Sequence, residues 1–113
     1  MTLSVESEST YRGGVSIDLG RRHYGIKRLR ATWPYGRLRI ADGKADLWAS
    51  TFSLPRGLPL PVSLTPETAC VFVRHGWPPG ITFKTSGTIH HFWTLHPGPT
   101  IKRLQTAGFR LCS

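Results

Sequence analysis

A chain of 113 residues, 39% hydrophobic and 11% aromatic, is long enough to bury one core and too short for two. Fifteen Lys and Arg against six Asp and Glu give a formal charge of +9, which favours anionic partners or simple solubility and leaves few carboxylates for acid–base catalysis. The two cysteines are too few for a disulfide framework, and no apolar run approaches the length of a membrane span.

The opening, MTLSVESEST, is polar and acidic where a secretory leader is basic and then apolar. A cytoplasmic chain is expected, at most peripheral to a membrane. Residues 1–30 read as a flexible, basic segment, loose as far as the Gly13-Gly14 pair and carrying one short strand over 14–19. There Val15, Ile17 and Leu19 alternate with Ser16 and Asp18, which suits a strand added at a sheet edge. Then RRHYGIKRLR sets five cations, Arg21, Arg22, Lys27, Arg28 and Arg30, around Tyr24, Ile26 and Leu29. Cations neutralise phosphates while rings stack on bases or sit at a lipid interface. Gly25 interrupts the run before an amphipathic helix can form, so a solvated connecting segment is the plainer reading.

Residues 31–113 read as a single β domain. TWPYG, with Pro34 and Gly36, predicts a bend. Leu38 and Ile40 alternate with Arg37 and Arg39, Asp42-Gly43 supplies a turn that tolerates positive φ, and Ala45, Leu47 and Ala49 alternate on the return. Asp46 falls where it meets an arginine across this hairpin. A short strand from Thr51 precedes LPRGLPLPV, whose prolines exclude a central strand and predict an extended crossover. It lacks the P-x-x-P spacing of a polyproline ligand. A turn around Pro66 leads to a buried strand marked by Ala69, Val71 and Val73, and HGWPPG turns the chain again.

The end of the chain has the clearest punctuation. Ile81 and Phe83 lie on one strand; beyond Ser86-Gly87, the residues Ile89, His91, Trp93 and Leu95 share a face expected to be mostly buried. Phe92 falls on the other face with Thr88, His90 and Thr94. Pro97 and Pro99 suit the first turn of a helix, and Gly108 suits the left-handed position just past its end, with Phe109 packing back on Leu104. The stripe Ile101, Leu104 and Ala107 must dock on the sheet, because so short a helix is marginal alone.

Candidate chemistry is sparse. No nucleophile motif and no glycine-rich phosphate loop is present, so no catalytic residue and no cofactor are expected. His90, His91, His96 and Cys112 do not make a metal set, since neighbouring strand residues point to opposite faces. One inward histidine held by a hydrogen bond and one surface histidine are expected. Cys70 and Cys112 read as free thiols of a reducing compartment. Trp33, Trp48, Trp77 and Trp93 could line a ligand cavity, as barrels sometimes do, and read more simply as core and rim residues of a small sheet.

The segments WPYGRLRIADGKADLWAS and GITF…FWTLHPGPTIKRLQTAGF resemble the small bacterial pleckstrin-homology-like (PH-like) proteins, over about residues 31–111. In these a Trp-Pro leads into the first hairpin, and a Phe-Trp strand precedes a helix ending in Gly-Phe. The resemblance implies a mainly β fold, a PH-like antiparallel barrel or sandwich with one C-terminal capping helix. It also implies a non-enzymatic binding or scaffolding module that meets a protein partner or an anionic membrane surface. Nucleic acid is the alternative partner by charge, and an enzyme the third reading. The anion-binding candidates are Arg21, Arg22, Lys27, Arg28, Arg30, Arg37 and Arg39. Phosphoinositide-binding members carry cations on both strands of the first hairpin; here Arg37 and Arg39 match, Lys44 lies in the turn, and ADLWA has none, so a specific inositol-phosphate pocket is not expected.

Overall fold

The computed structural model describes residues 8–18, 28–49 and 62–112. Within them lie β1 (Ser9–Asp18), β2 (Arg28–Ala41), β3 (Lys44–Ala49), β4 (Val62–Leu64), β5 (Cys70–Arg74), β6 (Gly80–Lys84), β7 (Ile89–Trp93) and α1 (Pro97–Thr106). The strands form one antiparallel sheet in the order β4-β3-β2-β1-β7-β6-β5, curled into a half-barrel. Two meanders of sequence neighbours thus meet along the β1–β7 seam. The mainly β architecture with a C-terminal helix is the one expected.

Local chemistry explains the hairpins. Asp42 (φ 53°) and Gly43 (φ 69°) both take positive φ, the signature of a two-residue turn whose twist matches its strands. Across it Arg39 faces Asp46, as expected. The β6–β7 turn is closed by Thr85 and Thr88, whose hydroxyls lie 2.7 Å apart while Thr85 N–H donates to the Thr88 carbonyl at 3.0 Å.

Strand β1 corrects the expectation for the N-terminal segment. It begins at Ser9, not near residue 14, and lies at the centre of the sheet rather than its edge, paired with both β2 and β7. Val15 and Ile17 are core residues, so the core starts well before residue 31. Ser9, Thr10 and Arg12 gave the first half of this strand no apolar alternation to read. Its start is tied down by Arg103 of α1, whose Nε donates to Ser9 Oγ at 3.0 Å. The expected bend at Trp33 is a bulge within β2. Gly13 pairs with Gly36 and Val15 with Ala31, so Thr32, Trp33, Pro34 and Tyr35 stand opposite the single residue Gly14.

One further strand differs from expectation. In β7 the inward residues are His90 and Phe92, while Ile89 and Leu95 are exposed, so the buried face is the reverse of the one predicted. Alternation separates two faces but does not say which one meets the core. Strand β5, the last of the sheet, keeps the expected alternation, with Val71 buried and Phe72 exposed.

The helix follows its punctuation. Gly108 (φ 107°) donates to the Gln105 carbonyl and Phe109 to that of Leu104, both at 3.0 Å, which closes a Schellman motif. Ile101, Leu104 and Phe109 are buried, and the Phe109 ring meets Phe83 edge-on at 6.4 Å. The chain leaving the helix then lies along the outer edge of β5. Val71 N–H donates to the Arg110 carbonyl at 3.0 Å and Cys112 N–H to the Val71 carbonyl at 2.9 Å. This brings Cys112 beside Cys70, and the two form a disulfide, not the free thiols expected. The 42-residue separation hides a pairing made only by the return of the chain past the helix. Disulfides persist in oxidising surroundings, so the argument from free thiols to a reducing compartment falls.

The expected strand after Thr51 and the proline-rich crossover up to residue 61 lie outside the described residues, as does the stretch 19–27. Among the described residues no helix is long and apolar enough to cross a membrane.

Candidate binding face

The sheet register gathers rings on the side turned away from the core. In one row across the strands, Arg74, Gly80, Trp93 and Gly14 lie side by side on β5, β6, β7 and β1. Gly80 has no side chain, so Arg74 reaches over it and its guanidinium carbon comes to 4.8 Å from the Trp93 ring centroid. On the other flank Gly14 makes room for the indole, since a Cβ there would stand 2.8 Å from Trp93 Cδ1. The adjoining row runs Phe72, Thr82, His91, Ser16 and Arg30. The His91 ring stacks on Trp93 with centroids 4.9 Å apart and planes 15° from parallel, and its Nδ1 is hydrogen-bonded to Thr82 Oγ1 at 2.9 Å.

Two loops complete the face. The β2 bulge presents Trp33 and the β5–β6 connection presents Trp77, each followed by a proline in cis. A cavity of about 520 Å³ lies between Trp33, Arg30, Arg74 and Trp93; a second of about 350 Å³ lies between Trp33, Trp77, Trp93 and Leu95. Both include Trp33, Pro78 and Trp93, so they form one open trough. Trp33 is 69% exposed and Trp77 81%, although a large apolar side chain gains roughly 1.5–3 kcal/mol on burial. Exposed rings gathered this closely mark interaction surfaces more than chance placement does.

Among the described residues, the cations singled out in the sequence do not share one environment. Arg21, Arg22 and Lys27 lie outside the described residues, and Arg28 stands on β2 opposite Asp18. Arg30 is exposed and lines the trough. Arg37 turns back on the bulge, donating from Nη1 to the carbonyls of Pro34 and Gly36. Arg39 pairs with Glu8 (Nε to Oε1, 2.9 Å) and stands 3.9 Å from Asp46. The hydrogen bond and charge of Glu8 hold its guanidinium above the ordinary arginine pKa. Arg37 and Arg39 are therefore engaged within the protein, whereas Arg30 faces the open trough.

Arg74 and Leu95 are not among the sequence candidates, and Trp33, Trp77 and Trp93 enter there only as the less simple reading, a cavity lining. A signal for two of them was present, because Trp33 and Trp77 both stand directly before a proline, which interrupts regular strand pairing. Their convergence with residue 93 was not readable, since it depends on strand order.

The histidine pair splits between faces, as expected. His90 is buried, with Nδ1 accepting from Asp18 N–H at 3.1 Å and Nε2 hydrogen-bonded to Thr88 Oγ1 at 3.0 Å. Among the described residues no three His, Cys, Asp or Glu side chains are grouped to hold a metal ion. No protein-family model, curated protein or solved structure matches the chain.

Proposed function

We propose that this protein is a non-enzymatic binding module of PH-like kind, that the tryptophan trough is its working surface, and that its partner is anionic. The observation carrying this reading is the exposure of Trp33 and Trp77, 69% and 81%, beside a trough bordered by Arg30 and Arg74. Folding alone gives no reason to leave two indoles in water at one place. A formal charge of +9 sets the sign of the partner. The mainly β sheet followed by one docked C-terminal helix is compatible with that kind of module. The apolar group Trp77, Pro78, Pro79 and Leu95 also suits an anionic membrane surface or a partner protein, with rings at the contact and cations around it.

Heparin, a generic polyanion, provides the test. Titrated at low salt, it is expected to bind and to change indole emission. The double variant Trp33→Ala/Trp77→Ala should lose most of that signal, and Arg30→Gln/Arg74→Gln should weaken binding. The quadruple change of Arg21, Arg22, Lys27 and Arg28 to Gln measures what the other basic segment adds. Heparin binding that is absent, or unaltered by both trough variants, would overturn the trough as the working surface.

A further inference from the structure

The trough makes two demands on one ligand. Arg30 and Arg74 require negative charge, and Trp33 and Trp77 require flat apolar surfaces to cover them. Resting on the reading above, we infer that the ligand is single-stranded nucleic acid, with bases stacked on Trp33 and Trp77 and backbone phosphates at Arg30 and Arg74.

The alternatives each meet one demand. A duplex offers phosphates but keeps its base faces stacked inside. A bilayer offers phosphates above flexible acyl chains, which give an indole no flat face to stack on. Single strands alternate phosphate and flat ring, and base stacking on an aromatic side chain accepts any base. Trp93 is already covered by His91 and Arg74, so the rings left for stacking are the two exposed ones. The Arg74 guanidinium lies over Trp93 on β7, two interstrand steps from β2, which carries Arg30, or about 10 Å at ~4.8 Å each. Stacking of splayed bases on aromatic side chains is a known physical solution for single-stranded RNA.

Fluorescence anisotropy with labelled oligo(U) and oligo(dT) of about 12 nucleotides tests the inference. Both should bind at low salt, and a duplex of equal length should bind about tenfold more weakly or worse, since it engages charge alone. Trp33→Ala and Trp77→Ala should each weaken single-strand binding by about 5- to 150-fold, the equivalent of losing one stacked base. Far-UV circular dichroism should not change, because both rings are largely exposed. Two phosphate contacts imply a log–log salt slope contribution near −1.4, which Arg30→Gln/Arg74→Gln should remove. Equal affinity for single strand and duplex overturns the inference, as does indifference to both tryptophan substitutions. Binding to phosphatidylserine-containing vesicles without binding to either oligonucleotide also overturns it. If heparin binds at the trough while no oligonucleotide does, the ligand class is wrong and the binding-module reading stands. If neither binds, both fall.

Discussion

The Arg74 guanidinium carbon lies 4.8 Å from the Trp93 ring centroid, across a row position that Gly80 leaves without a side chain. The contact depends on that vacancy, and a Cβ on Gly80 would also run into the Phe92 carbonyl. Gly80→Ala is therefore expected to destabilise the fold by about 1–3 kcal/mol, as overpacking does. It should also loosen Trp93, seen as increased acrylamide quenching of indole emission. A variant as stable as wild type with unchanged quenching would show that the row relaxes freely.

Leu104 is fully buried beneath the helix, so Leu104→Ala should cost about 2–5 kcal/mol in denaturant unfolding. Gly108 stands at φ 107°, where a Cβ is strained, and Gly108→Ala should cost about 1 kcal/mol or more. If Leu104→Ala melts like wild type, the helix is not docked.

The Cys70–Cys112 disulfide closes a loop with a sequence separation of 42 and pins the segment that borders β5. In the chain-entropy account a loop of this length contributes about 4 kcal/mol. Reduction, or Cys112→Ser, should lower stability by up to that amount and speed hydrogen exchange at Val71 and Cys112. Alkylation of denatured, unreduced protein should label neither cysteine. Two labelled thiols in protein kept under oxidising conditions would refute the crosslink.

His90 extends the β1–β7 seam beyond its last ladder pair, Ser16 with His91, by accepting the Asp18 N–H. His90→Leu fills similar space but removes that acceptor and one of the two hydroxyl contacts of Thr88, and should cost about 1–3 kcal/mol. His90→Asn, which keeps a short acceptor, should recover part of the loss. Equal stability of the two variants would assign the effect to packing alone.

The sequence by itself determined the local elements. Alternation around Asp42-Gly43 located the first hairpin, and Ile81, Phe83 and the residues after Gly87 located the last. Pro97, Gly108 and Phe109 marked both ends of the helix. These are short-range effects, set by which φ a residue tolerates and which side of a strand it occupies. Tertiary structure decided the rest. Ser9–Asp18 became the central strand because β7 closes on it from the far end of the chain, and His90 and Phe92 lie on the face of β7 that the curled sheet turns to the core. Cys70 met Cys112 through the path of residues after the helix. Trp33, Trp77 and Trp93 converge because strand order places three distant segments on one face. None of these pairings has a local signature, since each is fixed by contacts between residues separated by tens of positions, where periodicity carries no information about partners.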